Sequence, residues 1–397
     1  MLSLTAFLWA LPWILLAVAA PFVFSSRPKL REFPLPPMDG LPLVSIIVPA
    51  RNEAVNIGAC SGSILHSRYS NLELIIVDDD SSDGTRHIAQ NIAERDGRAR
   101  VISGEPLPDG WLGKCWACWQ GYRDARGDLL LFTDADTRHD PQLLRHTVGA
   151  MRSTGADLVS LVPRQEMETF WERVVLPHVF TVLAIRYPDL RRVNRSRNPR
   201  NAVANGQFIL MRRDAYEEIG GHEAVRHEVV EDLRIAQRTV AAGRRLVLAN
   251  AEDLMRTRMY RSFGDIIEGW SKNLATGVRQ AVAPLLRPFA PWVLGLFIIF
   301  FWVTPAAAFL AGLAGHAGSV LSGWGVIATA AALLFWVGAL QRLRAPIRYA
   351  LAFPLGGAVT GFVILRSAVR GRRVSWKGRT YRGVHGSGGA APGRHST

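Results

Sequence analysis

The stretch Leu72-Glu-Leu-Ile-Ile-Val-Asp-Asp-Asp-Ser-Ser-Asp-Gly-Thr85 passes directly from a short apolar run into a dense acidic one. A short continuous apolar run fits a strand covered on both faces, as in a parallel sheet flanked by helices. The pattern recurs. Val44-Ser-Ile-Ile-Val48 ends at Pro49-Ala-Arg-Asn-Glu53, Arg100-Val-Ile-Ser103 is a third run, and Leu129-Leu-Leu-Phe132 ends at Thr133-Asp-Ala-Asp136. The runs lie about 25–30 residues apart, the spacing of strand–helix units. Ligands of open α/β sheets bind beyond the carboxyl ends of the strands. Arg51, Asn52 and Glu53, then Asp78 to Asp83, then Asp134 and Asp136 are therefore expected to converge on one crevice.

Each group admits more than one reading. Asp134-Ala-Asp136 offers two carboxylates suited to a hard cation such as Mg²⁺ or Mn²⁺, or else a loop or helix N-cap before Pro141. Within Asp78 to Asp83 like charges repel, so stability alone is a strained account. An acid there accepts from a base N–H or a ribose hydroxyl, while Asp83 also suits a cap for a helix from Thr85. Lys114 opens a helix running to Arg126, where lysine and helix N-terminus together attract a diphosphate; a solvated lysine is the alternative. Glu231-Asp232 starts a helix through Ala242, stopped by Gly243. The pair serves either as acids complementing a helix dipole or as a general base.

Apolar content is 49% over 397 residues, but it is unevenly spread. Residues 1–24 carry no charged side chain and read as a retained membrane helix rather than a signal peptide. Residues 25–42 form a linker, 43–287 an α/β domain, 288–368 a membrane region, and 369–397 a basic, partly disordered tail with Gly- and Ser-rich 384–397. Two membrane helices are expected between Phe289 and Leu340. A third apolar run, Tyr349 to Leu365, contains Pro354, Gly356, Gly357 and Gly361. Basic residues follow the first, third and last runs: Arg27, Lys29 and Arg31; Arg342, Arg344 and Arg348; Arg370, Arg372, Arg373, Lys377 and Arg379. By the positive-inside bias all three ends face the cytoplasm. The last run then reads as a hairpin bent at Pro354, with a further crossing as the alternative. The net charge of +14 sits around membrane segments, which suggests an anionic inner leaflet rather than nucleic acid. Cys60, Cys115 and Cys118 are expected as free thiols, since one C-x-x-C pair does not complete a structural zinc site.

Taken in order, Val44 to Glu53, Ile76 to Thr85, Gly113-Lys114, Thr133 to Asp136 and Glu231-Asp232 resemble glycosyltransferase family 2 over roughly residues 42–280. The resemblance implies the GT-A fold, a Rossmann-like mixed sheet, here joined to transmembrane helices. It implies a nucleotide-sugar pocket lined by Pro49, Arg51, Glu53 and Asp79, with Lys114 at the diphosphate. Asp136 would hold a divalent metal (Mg²⁺ or Mn²⁺), Asp134 would meet ribose or metal, and Asp232, beside Glu231, would be the catalytic base of an inverting transfer. Gly110 to Ala117, Met259 to Asn273 and Trp376 to Tyr381 are similar to bacterial membrane glycosyltransferases associated with carotenoid and hopanoid lipids. That implies a lipid acceptor hydroxyl; a UDP-sugar is the expected donor, and the apolar runs with their basic flanks predict a multi-pass protein of the inner membrane with its catalytic domain cytoplasmic.

One departure matters. Processive synthases carry a Q-x-x-R-W motif after the catalytic acid, whereas Trp270 here follows Ile266-Ile-Glu-Gly269. This disfavours polysaccharide synthesis and leaves Arg261 and Lys272 as candidates for the missing phosphate contact. A non-catalytic scaffold is disfavoured by the presence of both Asp136 and Asp232. On the acceptor side, Phe170 to Ile185 and the arginines 191, 192, 195, 197 and 200 read either as a core helix with a solvated loop or as an interfacial helix meeting lipid phosphates.

Overall fold

The four apolar runs are four adjacent parallel strands in the computed structural model, which describes residues 3–23, 28–37, 39–370, 373–376 and 379–382. They are β1 (Val44–Ala50), β2 (Leu72–Asp78), β3 (Ala99–Ser103) and β4 (Leu129–Thr133). After the short β5 (Thr137–His139) come β6 (Leu158–Val162), β7 (Arg164–Gln165), β8 (Phe208–Arg212), β9 (Leu246–Asn250) and β10 (Met255–Thr257). The main sheet runs β3-β2-β1-β4-β8-β6-β9. β8 is antiparallel to both β4 and β6, which makes the sheet mixed. β5, β10 and β7 form a small second sheet. Side chains alternate across the main sheet. Ile46, Val48, Leu74 and Ile76 enter one core, while Ile47, Ile75 and Val77 enter the other.

The helices are α1 (Leu4–Val23), α2 (Ile57–Leu65), α3 (Thr85–Arg95), α4 (Gly113–Asp124), α5 (Leu143–Thr154), α6 (Phe170–Arg186) and α7 (Leu190–Arg195). α8 (Arg213–Glu218), α9 (Glu231–Ala241), α10 (Phe263–Ala281), α11 (Ala290–Leu313), α12 (Ser319–Arg342) and α13 (Phe353–Arg370) follow. Ala117 and Cys118 of α4 pack beside Ile47 and Val77, which fixes Lys114 at the carboxyl edge of the sheet. All three cysteines are buried free thiols.

Among the described residues four segments are long and apolar enough to cross a membrane: Leu4–Pro21, Ala290–Leu313, Ser319–Arg342 and Ile347–Arg370. α1 packs on α12 through Ala6, Ala10 and Trp13. Pro305 has no N–H to give to the carbonyl of Phe301, four residues earlier. The Trp13 indole donates to that carbonyl at 2.9 Å and joins α1 to α11.

The last apolar run is a short 3-10 helix, Ile347–Ala352, leading directly into one continuous helix, α13, and not a hairpin. Pro354 is the second residue of that helix, where no N–H is needed. The glycines mark close packing instead of a bend. A Cβ on Gly356 would lie 2.3 Å from the His178 ring of α6, and one on Gly361 2.6 Å from the Gly295 carbonyl of α11. Both ends of α13 meet the α/β domain. The Phe353 carbonyl lies 3.0 Å from His178 Nε2, and Arg370 pairs with Glu268 of α10 at 2.7 Å. Two other basic helix ends pair with domain acids as well: Arg31 with Asp253 at 2.5 Å and Arg342 with Glu252 at 2.8 Å. β11 (Arg373–Trp376) and β12 (Arg379–Arg382) form a hairpin within the basic tail. Arg27, Arg372, Lys377 and residues 384–397 lie outside the described residues.

Candidate active site

The carboxyl edges of β1, β2 and β4 deliver their polar residues to one side of the sheet. Pro49 pairs in register with Val77, and Ala50 with Asp78, so Arg51 and Asp79 emerge side by side. The Arg51 guanidinium donates to the backbone carbonyls of Asp79 and Asp80. Asn52 and Asp80 take positive φ values of 52° and 54° in this turn. The acidic residues divide their tasks. Asp78, fully buried, pairs with Arg86 of α3 at 2.9 Å. Asp83 accepts from the Thr85 and Ala54 N–H groups, so it ties the start of α3 to the turn after β1. Asp79 is 2% exposed and lies beside Arg51. Glu53 accepts from Asn56 at 2.8 Å, and Asn56 in turn accepts from Arg261 at 3.1 Å.

A second group adjoins the first. Lys114 Nζ lies 2.8 Å from Asp134 and 2.9 Å from Glu231. It therefore bridges the end of β4 to the start of α9. Burial would lower the lysine's proton affinity, but Asp134 and Glu231 outweigh it and raise it well above the ordinary value. Burial pushes the Asp134 carboxyl up against the pull of Lys114, with Glu231 and Glu53 adding to the rise. Glu231 goes the other way: burial opposes ionisation, yet Lys114 and Lys272 hold it below the usual range. Burial, then the neighbouring Glu231 charge, pushes Asp232 up to about 6.

Asp232 is gripped at both oxygens. One accepts from the Gly206 N–H at 2.8 Å, the other from the Leu233 N–H at 2.7 Å. Gly206 was not singled out from sequence; the Asn205-Gly206 pair shows only a turn. A Cβ there would stand 3.1 Å from both Asp232 Oδ2 and Lys114 Nζ, so the backbone must come close to the charged pair. Tyr260 also escaped the sequence reading. Its hydroxyl is buried and raised in pKa, first by burial and then by the Asp136 and Asp134 charges.

Asp134 and Asp136 lie in the turn between β4 and β5. α5 starts without a side-chain cap; Asp140 accepts from the Gln142 N–H at 2.9 Å in the turn before it. Two carboxylates on one short turn supply the oxygen donors that Mg²⁺ or Mn²⁺ takes when a substrate phosphate completes its shell. Among the described residues no set of three or more His, Cys, Asp or Glu side chains gathers. Lys272, on α10, is buried with Glu231, Lys114 and Asp134 as its charged neighbours. Trp270 packs near Tyr260 and Phe180.

Residues 45–220 match the model of the family described as glycosyl transferase family 2. A 4,4'-diaponeurosporenoate glycosyltransferase of Staphylococcus aureus is 25% identical over 257 residues, 64% of this chain and 66% of the relative. The match thus spans slightly under two thirds of that relative's length. Its counterpart in Staphylococcus haemolyticus is 24% identical over 264 residues, 65% of this chain and 68% of the relative. Among solved structures, a mannosyltransferase from Pyrobaculum calidifontis in complex with GDP-Man and Mn²⁺ aligns with a TM-score of 0.56 at 19% identity. It covers 92% of this chain and 96% of its own, so the likeness in fold extends through the membrane-length helices.

Proposed function

We propose that this chain, whose residues 45–220 match the glycosyl transferase family 2 model and whose fold is GT-A, moves a sugar from a UDP-sugar to a hydroxyl of a carotenoid-type membrane lipid, with inversion. The observation that carries this is the Lys114 bridge between Asp134 and Glu231, with Asp232 held beside it. Arg51, Glu53 and Asp79, beside Pro49, would hold the base and ribose. Lys114 would meet the diphosphate, and Lys272 or Arg261 would take the contact that the missing arginine makes in processive relatives. Asp134 and Asp136 would hold a divalent cation, which neutralises charge on the departing diphosphate when bound. The acceptor oxygen forms its bond to the anomeric carbon as the bond from that carbon to the diphosphate oxygen breaks. The acceptor proton passes to Asp232, and the nucleoside diphosphate leaves. The names of the staphylococcal relatives support a carotenoid-type acceptor.

We further propose that the domain is cytoplasmic and that α1, α11 and α12 span the inner membrane. α13 would lie antiparallel along the domain-side half of α11 without crossing, because both its ends are tied to the domain. The direct test presents purified protein with UDP- and GDP-sugars and a lipid extract, and reads the lipids by mass spectrometry. A glycolipid must appear with one donor and vanish with chelator, returning with Mn²⁺ or Mg²⁺. Asp136→Ala should lose transfer while keeping its melting temperature. Full transfer in excess chelator sinks the metal assignment.

A further inference from the structure

A cavity of about 600 Å³ opens between α9, α10 and the loop before α9, and five arginines line it: Arg200, Arg234, Arg238, Arg279 and Arg287. Glu228 is its one acidic wall residue, and it is already paired with Arg234 at 3.0 Å. Arg238 donates to the Ile219 carbonyl at 2.8 Å. Among the described residues Arg200, Arg279 and Arg287 make no ion pair, so the cleft keeps a strong positive excess. Such a concave basic surface attracts an anion.

The cleft is not the sugar-transfer site. Arg234, Arg238 and Ala241 share one face of α9, and Asp232 lies roughly 160° away around the helix at about 100° per residue. What lies beyond the cleft identifies its occupant. Arg287 immediately precedes α11, and Leu285, Leu286, Phe289 and Val293 around it are 55–85% exposed. Arginines meeting an apolar exterior at the foot of a membrane-length helix is the arrangement of a headgroup site at a bilayer surface.

We propose that this cleft binds the phosphate of an anionic phospholipid, whose chains lie against the exposed face of α11. The proposal rests on the bilayer placement given above. An occupied cleft would brace α9 against α10 and the bundle, so a lipid that is not the acceptor would hold the catalytic helix in place.

Native mass spectrometry of the full chain in mild detergent tests this without any sugar donor or acceptor present, so an inactive transferase can still bind. The protein is loaded with phosphatidylglycerol, with phosphatidylcholine, or with inorganic phosphate alone. Wild type should retain one phosphatidylglycerol and little phosphatidylcholine. Arg200→Gln with Arg287→Gln should lower retention roughly ten-fold or more, the scale of losing two charged contacts. Arg68→Gln with Arg95→Gln, also exposed but on the α/β domain outside the cleft, should leave retention unchanged. If the cleft pair does not fold, Arg287→Gln alone should still lower retention at least about three-fold on the same scale. Equal retention by a folded cleft variant, equal loss in the control pair, or equal binding of phosphatidylcholine would overturn the proposal. Displacement of the lipid by inorganic phosphate at low millimolar concentration would make this a free-phosphate site and overturn the lipid assignment.

Discussion

Asp232 and Glu231 are neighbours in sequence, yet their carboxyls meet opposite surroundings. Glu231 faces Lys114 and Lys272 and stays ionised; Asp232 faces backbone N–H groups and its neighbour's charge and is pushed up to about 6. A base must be deprotonated, so turnover should fall as pH drops through about 6 and level off above it. Glu231→Gln removes a charge that raises Asp232, and the acid limb should move to lower pH; a limb that stays put would separate it from Asp232. Asp232→Asn should cost at least about 100-fold in turnover with donor binding nearly unchanged. Normal turnover in Asp232→Asn alongside loss in Glu231→Gln would transfer the base to the other residue. Gly206→Ala places a methyl against Asp232 and Lys114 at 3.1 Å. It should slow transfer at least about ten-fold while leaving the fold intact by circular dichroism. At this scale the sequence was partly legible. Titratable residues at strand ends and a helix start showed themselves by type and position. Gly206 and Tyr260 did not, because their contacts join segments far apart in the chain. The acidic run also hid a division: Asp78 is consumed by Arg86 and Asp83 by α3, which leaves Asp79 beside Arg51.

Among the elements, the parallel strands were readable because each is an uninterrupted apolar run that stops at polar residues. The strand bounds moved by a residue or two; β1 continues through Pro49 to Ala50. α13 was misread for a physical reason. Proline and glycine break a helix in water, but at a first turn and against close neighbours they fit it. Its placement gives a prediction. Arg348→Cys just before α13 and Val369→Cys in its last turn mark its two ends, and the native cysteines are buried. Both sites should react with a membrane-impermeant maleimide from the side that carries the domain, and His316→Cys, between α11 and α12, from the other. Labelling of Val369→Cys only from the His316 side would mean that α13 crosses.

For the whole molecule, α6 joins the catalytic domain to the bundle. Its residues Val174, Val175, Leu176 and Val179 belong to the same apolar core as Trp302, Phe335 and Trp336. The core-helix reading of Phe170 to Ile185 therefore describes its inner face, while Phe170, Leu183 and Ile185 remain 41–50% exposed. Arg191, Arg192 and Arg195 follow on α7 with exposed side chains. Reversing these three charges should weaken transfer to a membrane-borne acceptor more than to a detergent-soluble one. Equal loss on both acceptors would indicate misfolding instead. The bond between Trp13 and the Phe301 carbonyl has a consequence for how such a molecule is made. The two residues are 288 positions apart. At synthesis rates of about 5–20 residues per second, some 15–60 seconds separate their emergence. Throughout that interval the indole N–H must be satisfied by lipid or water, and the proline-freed carbonyl does not yet exist. α1 thus exists long before it finds its place, and closure of the bundle waits until the domain between the two residues has been synthesised.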